Sequence, residues 1–187
     1  MELKHIQVFT DGGVFERGKY AVSVGLININ NKSIMNYKKI NMYKDSNYAE
    51  MFALKKTLSR LYGYMTQCDM FDGNYILEIY TDSLVCMDII RSYMNNEPIN
   101  YVYKNLANEM VELINKFDNH LAFYHVRSHV GTKHIKRYYN EFCEFNEHYI
   151  PFDSFLFIYQ QNRKCDKIVK GTFKKFKKQL KILQNGK

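Results

Sequence analysis

Apolar and polar residues alternate at the start of the chain, and residues 3–10 (LKHIQVFT) read as a strand running straight into Asp11. Gly12 and Gly13 then predict a turn. Tyr20–Asn30 and Ser33–Tyr43 read as two more strands, joined at the turn-prone pair Asn30-Asn31 into an antiparallel meander. The period then changes from that of a strand to that of a helix. Ala49, Phe52, Ala53, Leu54, Leu58 and Leu61 fall on one side of a helix predicted from Asn47 to about Met65, capped by Asp45 or Ser46. Asp72-Gly73 breaks the chain before a strand over Tyr75–Tyr80. Helices follow over Ser83–Met94, stopped by Asn95-Asn96 and Pro98, and over Tyr101–Phe117, then a strand over Leu121–Val126. A last helix is predicted from near Asn162, with Ile168, Val169, Phe173, Phe176, Leu180 and Leu183 toward the sheet and lysines on the other side. Between these elements, Thr132–Gln161 is aromatic and polar and shows no clear period.

The order βββαβααβα predicts an α/β fold, a five-stranded mixed sheet with helices on both faces. Strands one, four and five are reached by crossovers and should be parallel. Ligands in such sheets gather outside the carboxyl ends of the strands. Two related phrases deliver acids there: IQVFTDGG (residues 6–13) ends on Asp11, and ILEIYTDS (76–83) ends on Asp82. Side-by-side carboxylates repel, and a divalent cation is the usual compensation.

Composition narrows the class. A chain of 187 residues, 46% hydrophobic and 16% aromatic, is expected to form a single globular domain over 1–187. It contains no run of eighteen apolar residues, and MELKHIQVF lacks a signal-peptide layout, which predicts a cytoplasmic protein with no membrane contact. Nothing calls for an obligate protein partner, and a monomer is expected. Cys68, Cys86, Cys143 and Cys165 are widely spaced and read as reduced thiols. A zinc site drawn from Cys143, His134, His148 and Cys165 matches no compact ligand spacing. The net charge of +8 is concentrated at one end: Arg163–Lys187 holds ten basic residues against the single acid Asp166, so the preceding 162 residues are close to neutral. That asymmetry favours a polyanionic partner such as nucleic acid over a merely solvated basic face.

Two further acids stand out. Glu50 is expected in the first turn of the long helix, where it would also favour the helix dipole. Asp166 is the only acid in a basic helix and lies toward its buried side, with pairing to a neighbouring lysine as the plainer role. Taken in order, FTDGG (Asp11), SNYAEMFALKK (Glu50), IYTDS (Asp82), HVRSHVGTKH (His129) and NRKCDKIVK (Asp166) resemble the motifs of type 1 ribonuclease H. The resemblance implies an RNase H-like fold in which 132–161 is an insertion before the C-terminal helix and 174–187 a basic extension of it. It also implies an endonuclease that cleaves the RNA strand of RNA–DNA hybrids. Asp11, Glu50, Asp82 and Asp166 would hold two Mg²⁺ or Mn²⁺ ions about 4 Å apart, with Asp11 bridging. His129 corresponds to the family's mobile histidine, with His125 and His134 as rivals. Gly12, Gly13, Ser46 and Asn47 would contact the substrate, whose 2′-hydroxyl must be tested, and Ser83 and Asn162 would hydrogen-bond substrate or the metal shell.

The chain departs from the better-known pattern in several places. The loop after Asp11 is shortened to VFERGKY, Leu84 replaces a polar residue, and the basic, Trp-bearing protrusion is absent. About thirty residues separate His129 from Asn162. Within them Tyr138, Tyr139, Tyr149 and Tyr159 either stack on bases or pack on one another. Two other functions compete with RNA-strand cleavage: a DNA-directed nuclease of the same fold, such as a resolvase or integrase, and a non-catalytic nucleic-acid-binding module.

Overall fold

In a computed structural model of the chain, residues 3–15, 20–41, 45–71, 73–99, 101–117, 121–127 and 129–185 are described, with side chains for all but 35–41 and 183–185. Strand β1 spans Lys4–Phe15 and pairs antiparallel with β2 (Tyr20–Ile29) from Ile6↔Ile29 to Phe15↔Tyr20. The turn expected at Asp11-Gly12-Gly13 is therefore corrected: the strand continues through both glycines, and neither has a positive φ. The β2–β3 turn does form at Asn30-Asn31. Their φ values of 48° and 63° give the left-handed pair that a two-residue hairpin needs. Strand β3 covers Lys32–Asn41; Tyr43 lies outside the described residues.

Helix α1 runs Ser46–Gln67. Asp45 caps it, its carboxylate accepting from the Tyr48 N–H at 2.9 Å, so the cap is Asp45 and not Ser46. Strand β4 (Tyr75–Thr81) lies parallel to β1, and β5 (Leu121–His125) parallel to β4, completing the order β3-β2-β1-β4-β5. Helices α2 (Leu84–Met94) and α3 (Lys104–Ile114) form the crossover between β4 and β5, with a tighter turn over Asn115–Phe117.

The stretch 132–161 is helical but for residues 147–151, which corrects its reading as aperiodic. Helix α4 spans Ile135–Asn146, and α5 starts at Phe152, ten residues before the expected start at Asn162, and reaches Asn185. The observed order is thus βββαβααβαα. The apolar stripe of α5 runs unbroken from Phe155, Ile158 and Tyr159 through Cys165 to Val169, all buried. Of the predicted stripe, Leu183 has no described side chain.

Two cores lie on the two faces of the sheet. On one, Ile6, Val8, Leu77 and Ile79 pack under α1, α2 and α3. On the other, Phe9, Val22, Val24, Leu26 and Tyr80 pack under α4 and α5. Alternation along β1 therefore puts Asp11 on the α5 side with Phe9, and Gly12 on the α1 side with Val8. Phe155 is fully buried at the centre of the second core, where such a side chain contributes about 1.5–3 kcal/mol. Cys143 and Cys165 are buried in that core as free thiols, consistent with the plain reading of the cysteines. Among the described residues no helix is long and apolar enough to cross a membrane.

Candidate active site

The parallel register of β1 and β4 pairs Thr10 with Thr81, so Asp11 and Asp82 follow on neighbouring strands at the same edge of the sheet. Both threonines are buried, and Asp11 is 7% exposed. The Thr81 hydroxyl accepts from the Ser83 N–H at 3.2 Å, and the Ser83 hydroxyl accepts from the Cys86 N–H at 3.2 Å, capping α2. That local network ends β4 and starts α2 immediately after Asp82. From the other side, the His125 ring reaches the Asp82 carbonyl at 3.3 Å, and burial pushes the His125 pKa down, so it serves as a neutral anchor.

Glu50 is the fifth residue of α1, just past the first turn in which it was expected. The helix reaches β1 only because residue 12 has no side chain: a Cβ on Gly12 would stand 2.5 Å from the Ala49 carbonyl carbon and the Glu50 nitrogen. Ser23 fastens the same turn by donating to the Ala49 carbonyl at 2.8 Å. Gly13 does the equivalent for α5, since a Cβ there would meet Val169 and Phe173 at 3.2–3.3 Å. The space beside both glycines is filled by protein helices. On their Cβ side both glycines face the helices that carry Glu50 and Asp166.

Helix α5 is seated at Asp166 by two neighbours. The Asn162 amide donates to the Val126 carbonyl at 3.0 Å, and the Cys165 thiol lies 3.6 Å from the Phe9 carbonyl. Asn162 is 1% exposed and Ser83 2% exposed, and both hold backbone in place. Asp166 itself is paired, as the plainer reading anticipated: Lys170 Nζ lies 2.9 Å from its carboxylate. His129, with 70% of its side chain exposed, stands 3.9 Å from Asp166 and 3.3 Å from Lys170. Ser128 lies outside the described residues. His134 is exposed, and Gly131, whose backbone is extended, begins its short turn.

Ser46 is exposed and Asn47 half-buried at the start of α1. Asn47 hydrogen-bonds the Tyr101 hydroxyl, and Tyr103 donates to Asp45, two straps on the entrance to α1 that the sequence reading missed. The tyrosines between His129 and Asn162 mostly pack on one another. Tyr138 and Tyr159 are buried around Phe155, and Tyr139 donates to the Ile150 carbonyl at 2.6 Å. Only Tyr149 of the four stands exposed.

The electrostatics show what the four acids do to one another. Burial raises the Asp11 pKa to about 8, with Asp82, Asp166 and Glu50 adding to the rise in that order and the Gly12 N–H opposing it. Burial likewise raises Glu50 to about 7; a hydrogen bond from Ser83 opposes it, and Asp82 and Asp45 reinforce it. Lys170 is the cation in direct contact with the cluster's Asp166. Among the described residues no three His, Cys, Asp or Glu side chains close into a ready-made ligand set. The acids share a field without yet forming a shell. Their chemistry is that of hard oxygen donors, which suits Mg²⁺ or Mn²⁺ better than zinc.

A ribonuclease H family model matches residues 3–146, which include Asp11, Glu50, Asp82 and His129 but stop short of Asp166. The fold is similar to that of LC11-RNase H1, solved in complex with an RNA/DNA hybrid: TM-score 0.51 and 19% identity, over 65% of this chain and 84% of that one. It is also similar to RNase H1 from the halophilic archaeon Halobacterium salinarum: TM-score 0.50 and 17% identity, over 76% of this chain and 93% of that one. No curated protein matches the sequence. With the family match spanning most of the chain and the same fold in these structures, the protein belongs to the ribonuclease H family.

Proposed function

We propose that the protein is a metal-dependent endoribonuclease that cleaves the RNA strand of RNA–DNA hybrids. The observation that carries this reading is the convergence of Asp11, Glu50, Asp82 and Asp166. They come from two parallel strands and two helices on opposite faces, and the field of the other three reaches Asp11. A stable core has no use for such a cluster, because buried like charges cost folding energy. Membership of the family and the hybrid bound by LC11-RNase H1 support the substrate class.

The four carboxylates would hold two Mg²⁺ or Mn²⁺ ions, which when bound supply an activated water and stabilise the leaving 3′-oxygen. The remaining work falls to side chains of this protein. Asp11 and Glu50 are held partly neutral by their surroundings at pH 7, and they gain full charge as positive charge arrives. Lys170 neutralises Asp166 in the absence of other cations and is long enough to release it to a phosphate. His129, exposed at the rim and within reach of Asp166, is placed to exchange a proton with solvent as product leaves. Gly12 and Gly13 hold the two helices at the spacing that brings Glu50 and Asp166 to the strands.

The test is to offer matched labelled RNA–DNA hybrid, duplex DNA, duplex RNA and single-stranded RNA with Mg²⁺ or Mn²⁺. Cutting confined to the RNA of the hybrid, and lost in Asp82→Asn, supports the proposal. Cutting of duplex DNA replaces it with the DNA-directed reading, and hybrid that stays intact while bound replaces it with a binding module.

A further inference from the structure

Helix α5 carries more than Asp166. Beyond that acid, Lys167, Lys170, Lys174, Lys177, Lys178 and Lys181 are all exposed, and no acid follows Asp166 in the chain. Each stands three or four residues from another of the set, which places them on one face of the helix. At 1.5 Å per residue the stripe extends about 21 Å from Lys167 to Lys181. It begins at the carboxylate cluster, where Lys170 contacts both Asp166 and His129.

The stripe stands on a fixed support. On the opposite side of the same turns, Phe173 and Phe176 lie 4.8 and 5.4 Å from Phe15 between ring centroids, and Phe176 lies 4.8 Å from Tyr20. Val169 and Phe173 close over Gly13, two residues from Asp11 in β1. The lysines therefore hold a set direction relative to the carboxylates. A row of like charges on one helix face repels itself, and a partner with regularly spaced negative charge relieves that repulsion. Along the axis of a duplex each strand presents a phosphate about every 3.4 Å, so the stripe spans the axial rise of about six.

We propose that this lysine stripe is a second nucleic-acid contact, which seats the phosphate backbone of the hybrid beyond the cut and so sets the length of duplex the protein engages. The proposal rests on the reading above only for the identity of that duplex. The lysines at its far end, Lys174 to Lys181, lie about 12–22 Å along the helix from Asp166.

The experiment combines Lys174→Gln, Lys177→Gln, Lys178→Gln and Lys181→Gln in the full chain, leaving Lys170 in place. In an Asp82→Asn background, which holds off cutting, binding of a labelled hybrid of about 20 base pairs is titrated by fluorescence anisotropy with Mg²⁺ at several salt concentrations. The slope of log affinity against log salt should become shallower by about 3.6, or about 0.9 for each lost phosphate contact, and affinity at low salt should fall about tenfold or more. With Asp82 intact, turnover at saturating hybrid should stay within about twofold of the parent, because only binding is lost. An unchanged slope overturns the proposal, as does a loss seen with anionic vesicles and absent with hybrid. A parent that cuts hybrid while the slope is unchanged sinks the stripe and keeps the nuclease. A parent that fails to cut while the slope falls sinks the nuclease and keeps the stripe.

Discussion

Replacing Asp11 by Asn should stabilise the metal-free protein while abolishing cleavage. The carboxyl has an ordinary value of 3.8 and is raised to about 8 in the fold. A carboxylate with a raised folded pKa costs stability as pH climbs above the unfolded value, and the cost levels off once pH passes the folded value. At pH 7 the gap from 3.8 is about three units, at about 1.4 kcal/mol each, so the cost is about 4 kcal/mol. Asn cannot ionise and removes this cost, but its amide must be buried, at about 1–3 kcal/mol. The net gain of about 2 kcal/mol should raise the melting temperature by about 4–8 °C for a chain of this size. Thermal unfolding followed by circular dichroism in EDTA measures it, at pH 7 and again at pH 5, where the gain should vanish because the wild-type carboxyl costs only about 1.7 kcal/mol there, no more than burial of the amide. Added Mg²⁺ should then raise the wild-type midpoint and leave Asp11→Asn nearly unmoved. A variant no more stable than wild type at pH 7, or equally more stable at pH 5, would refute the assignment of Asp11 to a mutually repelling cluster.

Two further outcomes follow from the fold. Gly12→Ala should push α1 away from β1, because the neighbours of the new Cβ are backbone; denaturant unfolding should show a loss of about 1–3 kcal/mol, and turnover should fall as Glu50 is displaced. At the other end of the sheet, His5 bonds Glu78 at 2.6 Å, which raises the His5 pKa, while His5 and Tyr80 bring the Glu78 pKa down against its burial. The His5 contribution is present below about pH 6.5 and fades as pH rises through its folded value, and the Glu78 contribution is present above about pH 4.5 and fades as pH falls through its folded value. Stability from this pair should therefore peak between those values, and Glu78→Gln should flatten the peak in unfolding midpoints measured across pH; a peak that persists in the variant contradicts the pairing.

What was legible in the sequence was whatever a local pattern dictates. Alternation gave β1, β2, β4 and β5, Asn30-Asn31 gave the hairpin turn, and the threonine–aspartate pairs gave two acids on adjacent strand ends. The glycines after Asp11 misled because a turn and a close helix contact ask for the same residue. Only the position of Ala49 and Glu50, far along the chain, decides between them. Helix α4 escaped notice because its buried positions, Tyr138, Phe142 and Cys143, sit among other aromatic and charged residues that blur the period. The early start of α5 did carry a signal: Pro151 precedes it, its carbonyl accepts from the Phe155 N–H at 3.0 Å, and Phe155, Ile158, Tyr159 and Asn162 continue the stripe. Which of Ser83, Asn162 and the glycines face substrate depends on burial by distant elements, and no window of sequence contains that.

The cluster of acids should cut RNA only where it is paired to DNA. The most direct measurement is single-turnover cleavage of an end-labelled RNA strand, alone and annealed to DNA, with Mg²⁺ and with EDTA, by wild type and Glu50→Gln. Cleavage of the annealed strand only, requiring Mg²⁺ and lost in Glu50→Gln, is the predicted result. Cleavage that survives EDTA, ignores the DNA strand or persists in Glu50→Gln would contradict it.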